Sequence, residues 1–70
     1  MQKYLVIYEK VKNNYCAYSP DIPGCVATGK TRKETEKNIK EAICLHLDGL
    51  KEDGLPAPEP SSFPEYVEVK

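Results

Sequence analysis

No stretch of the seventy residues is apolar for long enough to cross a bilayer. The opening MQKYLVIYEKVK alternates apolar and polar residues too early for a secretory signal. The three cysteines, Cys16, Cys25 and Cys44, are an odd number with no C-x-x-C pair. That fits neither a disulfide framework nor a zinc site, and it predicts reduced thiols in a cytoplasmic protein. Clustered positive charge is missing as well. Ten Lys and Arg against eleven Asp and Glu leave a net charge of −1, which argues against a stand-alone nucleic-acid binder but suits a basic protein partner. There is no Gly-rich phosphate loop, no nucleophile elbow and no Ser-His-Asp set. No catalytic residue, no metal ligands and no cofactor are expected.

Size is also in short supply. A chain of seventy residues buries only about 60% of the surface its unfolded form exposes, close to the lower limit of independent stability. The expectation is one domain, residues 1–70, assembled as a homodimer or larger homo-oligomer.

What is present reads as alternating strands and one helix. KYLVIYEKV predicts a first strand over residues 2–10, with Tyr4, Val6 and Tyr8 on one face and Leu5 and Ile7 on the other. Apolar residues on both faces predict an interior strand. Lys12, Asn13 and Asn14 supply a hairpin turn, YCAYS a second strand and CVATG a third, ending where Gly29 permits an unusual backbone angle. Thr31 and Glu34 form a capping box, with the Thr31 hydroxyl accepting from the Glu34 amide and the Glu34 side chain reaching back. A helix over residues 32–52 follows, with Thr35, Ile39, Ala42, Ile43, His46, Leu47 and Leu50 on one stripe and Gly54 as its C-terminal cap. EYVEV at residues 65–69 returns to period two and predicts a fourth strand. The expected fold class is α+β, in the order β-β-β-α-β. Chain economy places the fourth strand beside the first, giving a mixed sheet of order 3-2-1-4 with the helix on one face.

Single residues offer little chemistry. Asp21, between Pro20 and Pro23, lacks the second group that general-base work requires, and it reads as an Asx-type turn. His46 and Cys44 lie about 200° apart around the helix and cannot converge. Cys44 projects among lysines, where it reads as an exposed thiol.

The run YSPDIPGCVATGKTRKETEKNIKEAICLHL resembles the HicB-like antitoxin family. The residues that carry the resemblance are Pro20, Asp21, Pro23, Gly24 and Cys25, then Gly29, Thr31, Glu34 and Ala42, with GLPAPEP after the helix. The resemblance implies a partial RNase H-like domain that binds and silences a HicA-like toxin, a small basic nuclease of messenger RNA. An active RNase H site needs several acids around a divalent metal, one of them inside the first strand. Tyr4 to Tyr8 contains no carboxylate, so the implied role is masking of a partner. The loop Pro20, Asp21, Ile22, Pro23 and Gly24 is then a stiff, surface-shaping element whose prolines reduce the ordering cost of binding. Many family members carry a further DNA-binding domain. Here the chain ends after the expected fourth strand, so direct DNA binding is not expected. The alternative is an orphan homo-oligomeric domain that binds another protein or a small ligand.

Overall fold

The computed structural model describes residues 2–70. Three strands precede one helix: β1 (Ile7–Val11), β2 (Asn14–Tyr18), β3 (Val26–Gly29) and α1 (Arg32–Glu52). The strands form an antiparallel meander of order β1-β2-β3. Tyr8 stands opposite Ala17 and Ala17 opposite Ala27, while Tyr15 stands opposite Gly29. Residues directly opposite share a face, so Ala17, Ala27 and Gly29 make a low floor on which α1 lies, with Tyr8 and Tyr15 on the same face.

The helix packs there because the floor is low. Ala17 is fully buried, as are Ile39 and Thr35 of α1. A Cβ added to Gly29 would come within 2.6 Å of Thr35 Oγ1 and 2.8 Å of Thr35 N. Gly29 therefore serves close approach of the helix to the sheet. It has no positive φ, which corrects the expectation of an unusual backbone angle. The predicted stripe is otherwise the packed one, with Ala42, Ile43, His46, Leu47 and Leu50 half-buried and Leu45 largely exposed.

Both helix ends are closed as the sequence indicates. Thr31 Oγ1 accepts from the Glu34 N–H at 3.0 Å, and Glu34 Oε1 accepts from the Lys30 N–H at 2.6 Å. The reach-back thus goes one residue beyond the cap. At the other end Gly54, at φ 71°, donates to Lys51 O, and Leu55 donates to Leu50 O. That pair of bonds is a Schellman motif.

Three expectations are overturned. No fourth strand forms among the described residues, so neither the β-β-β-α-β order nor the four-stranded 3-2-1-4 sheet, the RNase H-like arrangement, is present. Period-two alternation at residues 65–69 reports an extended backbone compatible with a strand, and says nothing about a pairing partner. Pro64 removes one donor just ahead of this segment. The first strand begins at Ile7 rather than at residue 2. Ile7 pairs with Tyr18, and beyond Tyr18 the neighbouring chain turns away at Ser19 and Pro20. Consequently β1 is an edge strand and β2 the central one. The hairpin's left-handed residue is Lys12, at φ 52°, the first of the three turn residues expected.

Candidate partner-binding surface

The loop between β2 and β3 is built from two successive turns. The Ile22 N–H donates to Ser19 O at 3.2 Å, and the Cys25 N–H donates to Ile22 O at 3.3 Å. Pro20 and Pro23 each take the second position of their turn, where a fixed φ near −65° is wanted. Gly24 follows Pro23 at φ 83°, the left-handed position of a type II turn that penalises any side chain.

The five loop residues do different jobs. Ile22 is fully buried and plugs the core beside Cys25, at 5% exposure, so it anchors the loop and contributes no outer surface. Burial pushes the Cys25 thiol up from its ordinary value. Pro20, Pro23 and Gly24 are exposed. Asp21 faces the other way and is occupied. Its Oδ2 accepts from the Ser61 and Ser62 N–H groups, each at 3.1 Å, and its Oδ1 accepts from the Ser61 and Ser62 hydroxyls at 3.0 and 2.9 Å. The Ser62 N–H, foremost among these donors, holds the Asp21 carboxyl below its ordinary value; partial desolvation opposes this without cancelling it.

The Asx-turn expectation for Asp21 is therefore corrected. The amide two residues ahead belongs to Pro23, which has no N–H, so the carboxylate finds its donors forty residues away. Ser61 and Ser62 are the residues that sequence reasoning missed. Two adjacent hydroxyl donors amid prolines were the available signal. Tyr4 makes a second tie to the same segment, its hydroxyl donating to Pro58 O at 2.6 Å. Thr31 and Glu34 sit at the exposed helix start and are not brought together with the loop's hydrogen bonds.

Two surfaces remain uncovered. The sheet face away from α1 carries Ile7, Glu9, Val11, Cys16, Tyr18, Val26 and Thr28, with Val26 at 58% and Val11 at 52% exposure. Next to it, the tail beyond Ser62 exposes Phe63, Tyr66, Val67 and Val69. At the helix start, Arg32 lies over the Tyr8 ring, 5.3 Å from its centre. Burial, with the Glu36 charge adding to it, raises the Tyr8 phenol, and Arg32 opposes this shift. Among the described residues no three His, Cys, Asp or Glu side chains group as metal ligands. No helix is long and apolar enough to cross a membrane.

Residues 4–70 match the model of a family described as HicB-like antitoxin of bacterial toxin-antitoxin system. A UPF0150 protein of Helicobacter pylori is 47% identical over 49 residues, covering 70% of this chain and 68% of the relative. An uncharacterised 14.9 kDa protein from the rep-hol intergenic region of Haemophilus phage HP1 is 38% identical over 64 residues, covering 91% of this chain. The chain spans about half the length of that phage relative, 48% of it. Among solved structures, a chain of a HicA3 and HicB3 toxin-antitoxin complex superposes with a TM-score of 0.71 at 34% identity, covering 87% of this chain and 71% of the other.

Proposed function

We propose, from the premise that the chain belongs to the HicB-like antitoxin family, that it binds and masks a small HicA-type toxin that cleaves messenger RNA. The observation that carries this reading is the superposition on a chain of a HicA3 and HicB3 toxin-antitoxin complex across 87% of the present chain. Family membership places the chain among non-enzymatic regulators. Its work is recognition.

The surface best suited to that work is the uncovered sheet face together with the rim of the Pro20–Gly24 loop. Val26, Val11 and Tyr18 offer apolar contact there, while Glu9 offers negative charge to a basic partner. The two turns set the rim before any partner arrives, which lowers the ordering cost of association. Masking acts on the toxin itself, with no DNA contact by these seventy residues, and the chain works as a homo-oligomer in the cytoplasm.

The test is toxin-dependent RNA cleavage with and without the purified protein, using as toxin any small basic protein found encoded beside it. Cleavage should fall to background once the protein is in molar excess. Unchanged cleavage at that excess would remove the antitoxin reading for this chain. Replacing Pro20 and Pro23 by glycine should weaken inhibition while the fold persists, since the turns remain accessible but are no longer preset.

A further inference from the structure

An open groove of about 750 Å3 runs along β1, within the range of roughly 300–1,000 Å3 that small-ligand sites occupy. One wall is β1 with the start of α1, and the other is the tail just beyond the Asp21 clasp. Four aromatic rings line it, Tyr8 and Tyr15 on the inner wall and Phe63 and Tyr66 on the outer. The inner pair are half-buried, whereas Phe63 is largely exposed and Tyr66 fully so. Strand register explains where the charges fall. Lys10 stands opposite Tyr15 and Tyr15 opposite Gly29, so the three share one face at the end of the sheet where the chain turns into α1. Arg32 follows at the start of α1 and lies over the Tyr8 ring, 5.3 Å from its centre. Lys10 and Arg32 are therefore the cations of the groove, and Glu65 is the acid that lines it. Glu36, one turn along α1 from Arg32, is a second acid close enough to act on Tyr8. Glu9 projects to the opposite face, across from Cys16, and Glu68 and Lys70 do not line the groove.

Rings and cations in one groove call for a ligand that is planar at one end and anionic at the other. Every nucleobase has a π face, and its stacking on a protein ring tolerates any sequence. A guanidinium presents a planar fork that matches phosphate oxygens. An aliphatic segment would leave Arg32 and Lys10 unused, and a simple anion would leave the four rings unused. With two cations against two acids, the groove cannot follow a run of phosphates. Its charge suits one nucleotide. We propose that the groove binds a single purine nucleotide, its base stacked on the exposed Tyr66 and Phe63 rings and its phosphate held by Arg32 and Lys10. A free nucleoside monophosphate and the end nucleotide of an RNA fragment offer this same chemistry. The function is additional to toxin masking and does not rest on it.

NMR titration of the full chain at low salt, with no toxin present, tests it. The probes are adenosine 5′-monophosphate and, separately, a short 5′-phosphorylated oligoadenylate RNA. The ring signals of Tyr8, Tyr15, Phe63 and Tyr66 should shift and saturate. Equal affinity for the two probes assigns the site to the free nucleotide, and much tighter binding of the RNA assigns it to the strand end. Tyr66→Ala should weaken binding by roughly fivefold or more, the usual loss for one stacked base. Tyr66→Phe should bind normally, because the ring stacks and the hydroxyl does not. Arg32→Met should weaken binding and make what remains less sensitive to salt. Both positions are exposed, so helix content should not change, and the shift map on the unaltered protein needs no variant. No saturable shift with either probe up to millimolar concentration, shifts that map outside the groove, or full affinity in Tyr66→Ala would each overturn the proposal. Because toxin is absent throughout, failure here leaves the masking reading untouched.

Discussion

Asp21 and Ser62 are joined twice across 41 positions of sequence, once through the Ser62 N–H at 3.1 Å and once through its hydroxyl at 2.9 Å. Ser61 repeats both bonds. The acid of the Pro-Asp-Ile-Pro-Gly loop is thus a fastening for the chain's far end. It links the two segments that carry the family resemblance, the loop and the proline-rich close.

The clasp should respond to pH in a definite sense. The Asp21 carboxyl titrates below its ordinary value because its charged form accepts the serine donors, Ser62 N–H foremost. A depressed folded pKa contributes stability above the unfolded pKa, near 3.8, and loses it as pH falls through the folded value. The Ser61 and Ser62 amides should therefore be protected at neutral pH and should lose that protection, measured against their intrinsic exchange rate at each pH, on acidification below that range. Amide exchange followed by NMR across that range measures it. In Asp21→Ala the tail should be free at every pH, with α1 and the sheet intact.

Gly29→Ala should destabilise the fold by about 1–3 kcal/mol, the usual range for overpacking. The new methyl would meet Thr35 Oγ1 at 2.6 Å and the backbone Thr35 N at 2.8 Å. The backbone atom cannot rotate aside, so the start of α1 has to lift from β3. Urea unfolding of the two proteins side by side gives the number.

Much of this was legible in the residues. Thr31, Glu34 and Gly54 mark the ends of α1 because capping chemistry is local, and the stripe from Thr35 to Leu50 fixes its buried side through a single period. Strands two and three fall within a residue of their predicted bounds for the same reason. The fourth strand failed because pairing is a long-range property. The alternation of Tyr66, Val67, Glu68 and Val69 is real, but only a partner at the right distance would convert it to a strand. For Asp21 the missing N–H of Pro23 excludes the Asx turn from the sequence alone, but the serine donors it does find lie beyond any local window.

The three thiols should react in the order Cys44, Cys16, Cys25. Cys44 is exposed on α1, Cys16 is half-buried on the open sheet face, and Cys25 is buried. Burial also raises the Cys25 thiol, leaving less thiolate to react. Timed alkylation of the native protein followed by peptide mass analysis resolves the order. Protection of Cys44 alone would place its helix face inside a contact.

Ile22 in the loop and Val26 at the start of β3 allow stability and recognition to be separated. Ile22 is fully buried while Val26, four residues on, is 58% exposed on the uncovered sheet face. Ile22→Ala should cost about 2–5 kcal/mol of stability, the range for truncating a buried Ile. It should impair toxin masking only in proportion to the protein unfolded. Val26→Asp should shift stability by about 0.5 kcal/mol or less, as exposed substitutions do. If the uncovered sheet face is the recognition surface, the same change places a charge on it, beside the loop, and should weaken masking at full folding. Thermal unfolding and RNA-cleavage inhibition on each variant give the two axes. Normal masking by folded Val26→Asp would move the recognition surface elsewhere on the molecule.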